Sequence, residues 1–205
     1  MRLLFTAAAF LCALVALPVS ATAKSGQPFD FEIAPRSAVS QRIATQHPFN
    51  LVGMRWRGSV KPEISIRVRK SRRWSRWEEL HARGRVTDPL WVGSADAVQY
   101  RLSRRVPGLR LHFVNVGRYA HARARTARQG EPGFVSRAAW GASQCPPREQ
   151  PSYGSVKAVI VHHTVSLNDY SAEEAPAIVL AICRYHRNSN GWNDIGYNAL
   201  VDKYG

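Results

Sequence analysis

Between Phe29 and about Gly117, apolar and polar residues alternate in short runs. Ile64, Ile66 and Val68 alternate with Ser65, Arg67 and Arg69; Met54 and Trp56 with Arg55 and Arg57; Leu109, Leu111 and Phe113 with Arg110 and His112. A period of two is that of a strand with one buried and one solvated face. Gly58, Pro62, Gly84, Pro89, Pro107 and Gly108 punctuate the runs, and no stretch here has the 3.6-residue period of an amphipathic helix. Several short strands between such breaks predict a small all-β, sandwich-like domain.

The pattern changes further along. Arg118 to Gly133 is rich in Arg, Ala, Gln and Gly without apolar periodicity and reads as a basic linker. Val156 to His163 is an almost unbroken apolar run, which predicts a central strand covered on both faces. Ser171-Ala-Glu-Glu is a capping-box pattern that opens a helix at Ala172, although Pro176 also permits a start nearer itself. Ile178, Val179, Ile182, Cys183, Tyr185 and His186 then form one apolar stripe. Asn188 to Gly191 ends it, and Tyr197 to Val201 reads as a further strand. Strand, helix and strand in this order predict an α/β domain, a mixed central sheet with flanking helices, truncated by the end of the chain. The expected organisation is a leader over 1–23, a β-rich accessory domain over 24–117, a linker over 118–133 and a partial α/β domain over 134–205.

Composition adds compartment and partner. Arg2, the apolar run Leu3 to Leu17 and Ala21-Thr22-Ala23 have the form of an export signal that leaves no stable membrane span once removed. The expected location is the cell wall, the periplasm or the medium. Cys12 departs with the leader. Cys145 and Cys183 remain, and in an oxidising compartment a disulfide between them is expected, with two free buried thiols as the alternative. Lys24 to Gly130 holds 22 Lys/Arg against 7 Asp/Glu, whereas Glu131 to Gly205 holds 6 against 7. The basic character therefore belongs to the N-terminal part, and its expected partner is an anionic wall polymer rather than nucleic acid. Trp56, Trp74, Trp77 and Trp91 lie among these arginines. Alternation accounts for them as core beneath a solvated face, and a carbohydrate or polyanion surface is the other reading.

The chemistry concentrates after residue 158. Adjacent His162 and His163 on a strand would point to opposite faces, so only one faces a given cleft. Two adjacent imidazoles are by themselves a weak metal signal, because hydrolytic zinc needs three protein ligands and an open position. His186 on the apolar helix stripe reads equally as a core histidine with a hydrogen-bond partner. Trp192 reads as packing, Tyr197 as a strand aromatic, and Asn193 and Asp194 as turn residues bonding the backbone.

Four separated blocks carry a resemblance: Ser136-Arg-Ala-Ala-Trp-Gly-Ala, Val159-Ile-Val-His-His-Thr, Arg184-Tyr-His-Arg and Gly191-Trp-Asn-Asp-Ile-Gly-Tyr-Asn. In this order and spacing they resemble the peptidoglycan recognition proteins and the related type-2 N-acetylmuramoyl-L-alanine amidases, over roughly the first half of such a domain. More loosely, the β-rich region resembles the accessory region that precedes these domains in secreted bacterial proteins. The resemblance implies His162 as a ligand of Zn2+, Tyr197 as a catalytic neighbour of the metal, and His163, Thr164 and His186 in the muropeptide cleft. It implies hydrolysis of the amide between the lactyl group of N-acetylmuramic acid and L-alanine in peptidoglycan, or recognition of muropeptides without hydrolysis. The family's other two ligands lie downstream of the Gly-Tyr-Asn block, so the chain reads as a fragment with no amidase activity by itself.

Overall fold

The computed structural model describes residues 26–117, 133–164 and 168–204. The predicted leader, and all but the last residue of the predicted linker, lie outside the described residues. Nine strands form one antiparallel sheet: β1 (Phe29–Ile33), β2 (Ser40–Arg55), β3 (Ile64–Lys70), β4 (Arg73–Trp74), β5 (Glu78–Leu80), β6 (Ala82–Arg83), β7 (Val86–Thr87), β8 (Leu90–Leu102) and β9 (Arg110–Asn115). The main path runs β1-β9-β2-β8-β3-β4, with β5 on β3 and the β6–β7 pair on β2.

The inner face carries the alternating positions. Ile64, Ile66 and Val68 from β3, Val98, Tyr100 and Leu102 from β8, Val52 and Met54 from β2, and Leu111 and Phe113 from β9 form one buried cluster. Among the described residues no helix packs on this face, and its side chains cover one another instead. A bend is built into the two long strands. The β2–β8 register shifts between Ala44 and Phe49 and again before Leu51. Opposite these shifts Gly93 takes φ +70°, a conformation that glycine adopts without strain. The Asn50 side chain holds the bend from both sides: its Nδ2 donates to the Gly93 carbonyl at 2.9 Å and its Oδ1 accepts the Val116 N–H at 2.9 Å.

The sheet's outer face is divided. Over β1, β9 and the second half of β2 lies helix α1 (Ala175–Asn188), preceded by a single 3-10 turn at Ala172–Glu174. The Ser171 N–H donates to the Glu174 carboxylate at 2.9 Å, one arm of the predicted capping box. Pro176 falls in the first turn of α1, where a missing N–H costs nothing. Leu51, Trp91, Val114 and Val116 from the sheet and Ala177, Ile178, Leu180, Ala181, Ile182 and Tyr185 from the helix bury one another in a second cluster. The fit is close at Gly53, where a Cβ would stand 2.3 Å from the Tyr185 ring. The Tyr185 hydroxyl donates to the Thr87 carbonyl at 3.2 Å. At the rim of the contact, Arg184 binds Asp30 at 2.7 Å, Asn188 donates to the same carboxylate, and His112 lies against Asp30 and Glu32. Cys145 and Cys183 are joined as a disulfide, which ties the segment before α1 to the helix's buried stripe.

Three expectations are corrected. The architecture is not a mixed α/β sheet with flanking helices; it is one large antiparallel sheet carrying a single α-helix among the described residues. Val156 to His163 is not a buried central strand. It pairs with nothing in a ladder, and Val159, Ile160 and Val161 are 83%, 83% and 92% exposed. Tyr197 to Val201 likewise forms no strand. The reason is pairing: an apolar run states a demand for burial, but a strand also needs a neighbour for its N–H and C=O groups. Among the described residues, the sheet's apolar outer surface is already taken by α1.

Candidate functional site

The C-terminal part of α1 and the segment following it bring the candidate residues together. Gly191 ends the helix with φ +76°, and the Trp192 N–H returns to the His186 carbonyl at 3.1 Å. Asn193 then bonds Glu149 through both ends of its side-chain amide, at 2.7 and 3.3 Å. Asp194 accepts the Ile195 N–H at 2.8 Å and pairs with Arg137 at 3.0 Å. The Asp194–Ile195 bond is the local side chain–backbone bond expected of a turn residue, whereas Asn193 reaches the distant Glu149 backbone and Arg137 binds Asp194 side chain to side chain.

The turn places four aromatic rings in a row. His162 lies 5.5 Å from Tyr197, Tyr197 lies 5.4 Å from His186, and His186 lies 4.5 Å from Trp192, measured between centroids. Three of the residues implied by the resemblance thus meet although they come from three separate blocks. His163 is exposed and has no ring contact with Tyr197; its Nδ1 lies 3.2 Å from the Thr164 carbonyl. Thr164 is half-buried. Of the adjacent pair, only His162 joins the row.

The chemistry of each ring follows from its partners. His162 Nδ1 lies 3.0 Å from the carbonyl of His163. A carbonyl only accepts, so Nδ1 carries the proton and the Nε2 lone pair is left available. His186 is the reverse. It is 4% exposed, and its Nδ1 accepts the Gly196 N–H at 3.1 Å, which puts the proton on Nε2. A Cβ on Gly196 would stand 2.4 Å from the Trp192 ring, so only glycine brings its N–H this close beneath the indole. Burial lowers the His186 imidazole to about 4, with Asp88 opposing, and keeps it neutral. Burial pushes the Tyr197 phenol up, Asp88 adds to this and Arg83 opposes it, so the hydroxyl remains a donor.

Of the residues in this row, His162 is the one that presents a free ring nitrogen suited to zinc. Among the described residues no group of three or more His, Cys, Asp or Glu side chains is placed to hold a metal ion. His162 offers a single nitrogen, and metal affinity comes from several ligands organised together.

A second candidate surface lies on the uncovered half of the sheet's outer face. Here Arg42 of β2, Arg67 of β3 and Arg101 beside Gln99 on β8 alternate with Trp74 and Trp77. Arg42 and Arg67 each lie 5.1 Å from the Trp74 ring, and Arg67 and Arg101 lie 4.8 and 4.3 Å from the Trp77 ring. Cross-strand register creates the row, since Arg67 pairs with Gln99 and Gln99 with Arg42. The four tryptophans noted in the sequence therefore divide: Trp56 and Trp91 are core, whereas Trp74 and Trp77 are half-buried in this ladder. A depression lined by Arg55, Trp56, Arg57, Gly108 and Arg110 lies at the far end of β2, but Arg55 there is neutralised by Glu32 at 2.8 Å. Alternation in the sequence signalled exposed arginines; it carried no sign that Trp74 and Trp77, from a short excursion after β3, fold back between them.

No curated protein and no solved structure matches the chain. One family does, and its galactose-binding-like character agrees with the β architecture in place of the α/β expectation. Its match spans residues 15–133, more than half of the sequence, and on that ground the chain belongs to the family described as Rv3811 N-terminal galactose-binding domain-like.

Proposed function

We propose that this chain is the exported, wall-binding portion of a zinc-dependent N-acetylmuramoyl-L-alanine amidase. In this reading the β unit holds anionic wall polymer, and the segment after residue 133 contributes His162 and Tyr197 to the catalytic centre. The observation that carries the reading is the convergence of His162, Tyr197 and His186 in one row of rings. Their hydrogen-bonding states suit a muropeptide amide. Tyr197 supplies a phenolic O–H to an oxygen that gains charge, and His186 supplies a fixed, neutral N–H. His162 has its Nδ1 proton engaged and its Nε2 free, the orientation that a backbone carbonyl imposes on a ligating histidine. With one such nitrogen the described residues bind and position; they do not by themselves hydrolyse.

The test has two arms. A purified muramoyl-L-alanyl peptide titrated into the chain should bind at least tenfold more weakly to His162→Ala and to Tyr197→Phe, with no stem peptide released by the chain alone. Grafted onto a chain that supplies the family's two further ligands and loaded with zinc, it should release free stem peptide, and His162→Ala should abolish that release. Muropeptide binding indifferent to both substitutions would sink the reading. The second reading is a recognition protein that binds muropeptide through the same ring row without cutting. Tight binding with no release from the zinc-loaded graft would select it.

A further inference from the structure

We propose that the Arg42–Trp74–Arg67–Trp77–Arg101 ladder is a binding site for an anionic polysaccharide, a glycan chain bearing carboxylate or phosphate groups along its length. The inference names the site and ligand class for the wall-binding half of the function proposed above, and in that sense rests on it.

The argument begins with charge that has no counter-ion. Among the described residues, Arg42, Arg67 and Arg101 form no salt bridge, whereas the neighbouring Arg69 is paired with Asp96 at 2.8 Å. Arg67 instead directs its Nε and Nη2 at a neutral acceptor, Gln99 Oε1, at 3.0 and 2.7 Å. Each guanidinium lies within 5.1 Å of an indole shared with the next, so neighbouring cations stand at most about twice that distance apart. Like charges held at such spacing repel, and the arrangement becomes favourable when a string of anions lies along it. The indoles also restrain the guanidiniums; Arg67 is further held by Gln99, while Arg42 and Arg101 keep N–H edges to offer carboxylate or phosphate.

Two alternatives fit less well. A neutral sugar docks on an open aromatic face, but both ladder indoles are already engaged by two guanidiniums each. Single-stranded nucleic acid needs free aromatic platforms for its bases, and the same contacts remove them. What remains on offer is a row of three cations linked through two shared indoles. The carboxylate nearest in register, Glu79, lies opposite Ser65 in the row of Arg101 and limits the site on that side.

The experiment uses the whole chain with polygalacturonate as probe, dextran as neutral control, and sheared duplex DNA as competing polyanion. Polygalacturonate should bind with an affinity that falls as salt rises, dextran should not bind, and DNA should bind more weakly at equal salt. The double variant Arg42→Gln/Arg101→Gln should weaken binding at least tenfold. Arg104→Gln/Arg105→Gln removes the same charge from exposed positions outside the ladder and should weaken it less than threefold. Trp77→Leu leaves the net charge unchanged and should still weaken binding severalfold, because the guanidinium planes lose their support. Equal losses in the two double variants would overturn the proposal in favour of bulk charge, and tighter binding of DNA would overturn it in favour of a nucleic-acid surface. None of these readouts involves muropeptide, so failure here is distinguishable from failure of the amidase reading.

Discussion

His186 shows how one residue type serves opposite ends in this chain. It and His162 sit on either side of Tyr197, yet one is buried with its proton on Nε2 and the other is exposed with its proton on Nδ1. The buried ring has a consequence for stability. Its imidazole is lowered from 6.5 to about 4, so between those values the unfolded chain takes up a proton that the folded chain refuses. The contribution of this ring is complete above pH 6.5 and falls as pH drops toward 4, by on the order of 3 kcal/mol at most. Denaturant midpoints measured across that range should decline in the native protein, and should decline less in His186→Gln. Equal slopes would mean that the ring is more accessible than its packing beneath Trp192 indicates.

At the scale of elements, the contact between α1 and the sheet is both apolar and ionic. Asp30 is buried, which pushes its carboxyl up; His112, Arg184 and Asn188 together outweigh that and hold it below its ordinary value. The contribution is therefore present above the normal carboxylate range and is lost as pH falls through it. Arg184→Ala leaves Asp30 buried with its strongest cation gone and should cost about 3–5 kcal/mol, whereas Asp30→Asn combined with Arg184→Ala should recover part of that loss. Urea unfolding of the two variants checks this, and equal destabilisation would mean that the pair is not coupled. The helix itself was legible: its capping box, its stripe and its glycine stop all lie in the sequence. So were the alternating strands, because period two reports one buried face directly. The partner of the helix was not legible, since a stripe of Ile178, Ile182 and Tyr185 specifies an apolar surface without saying which one. Val156 to His163 misled for the same reason, as its composition is that of a strand but pairing depends on what lies beside it. His162 and Tyr197 were found by motif alone. The ladder needed coordinates, because Trp74 on β4 reaches Arg42 on β2 past two intervening strands.

For the whole molecule, both halves of the sequence contribute to one packed body, with the disulfide closing a loop that spans 38 positions. By loop entropy such a bridge stabilises by roughly 4 kcal/mol. The two candidate surfaces divide the sheet's outer face: the half beneath α1 leads to the ring row, and the other half carries the cations. On the reading proposed above, such a chain would hold polymer on one area while presenting donors on another.

The exposed run from Val159 to Val161 also governs how the protein behaves as a colloid. Three uncharged β-branched residues with free backbone groups are adhesive toward an identical copy. A net charge of +15 keeps copies apart, but only over a distance that dissolved ions shorten from ~30 Å at 0.01 M to ~8 Å at physiological strength. Scattered light should therefore rise as sodium chloride is added, with Val161→Lys suppressing the rise. Salt that leaves the particle size unchanged would show the run to be shielded. The same ions that loosen a polyanion from the ladder would then set the copies free to join each other.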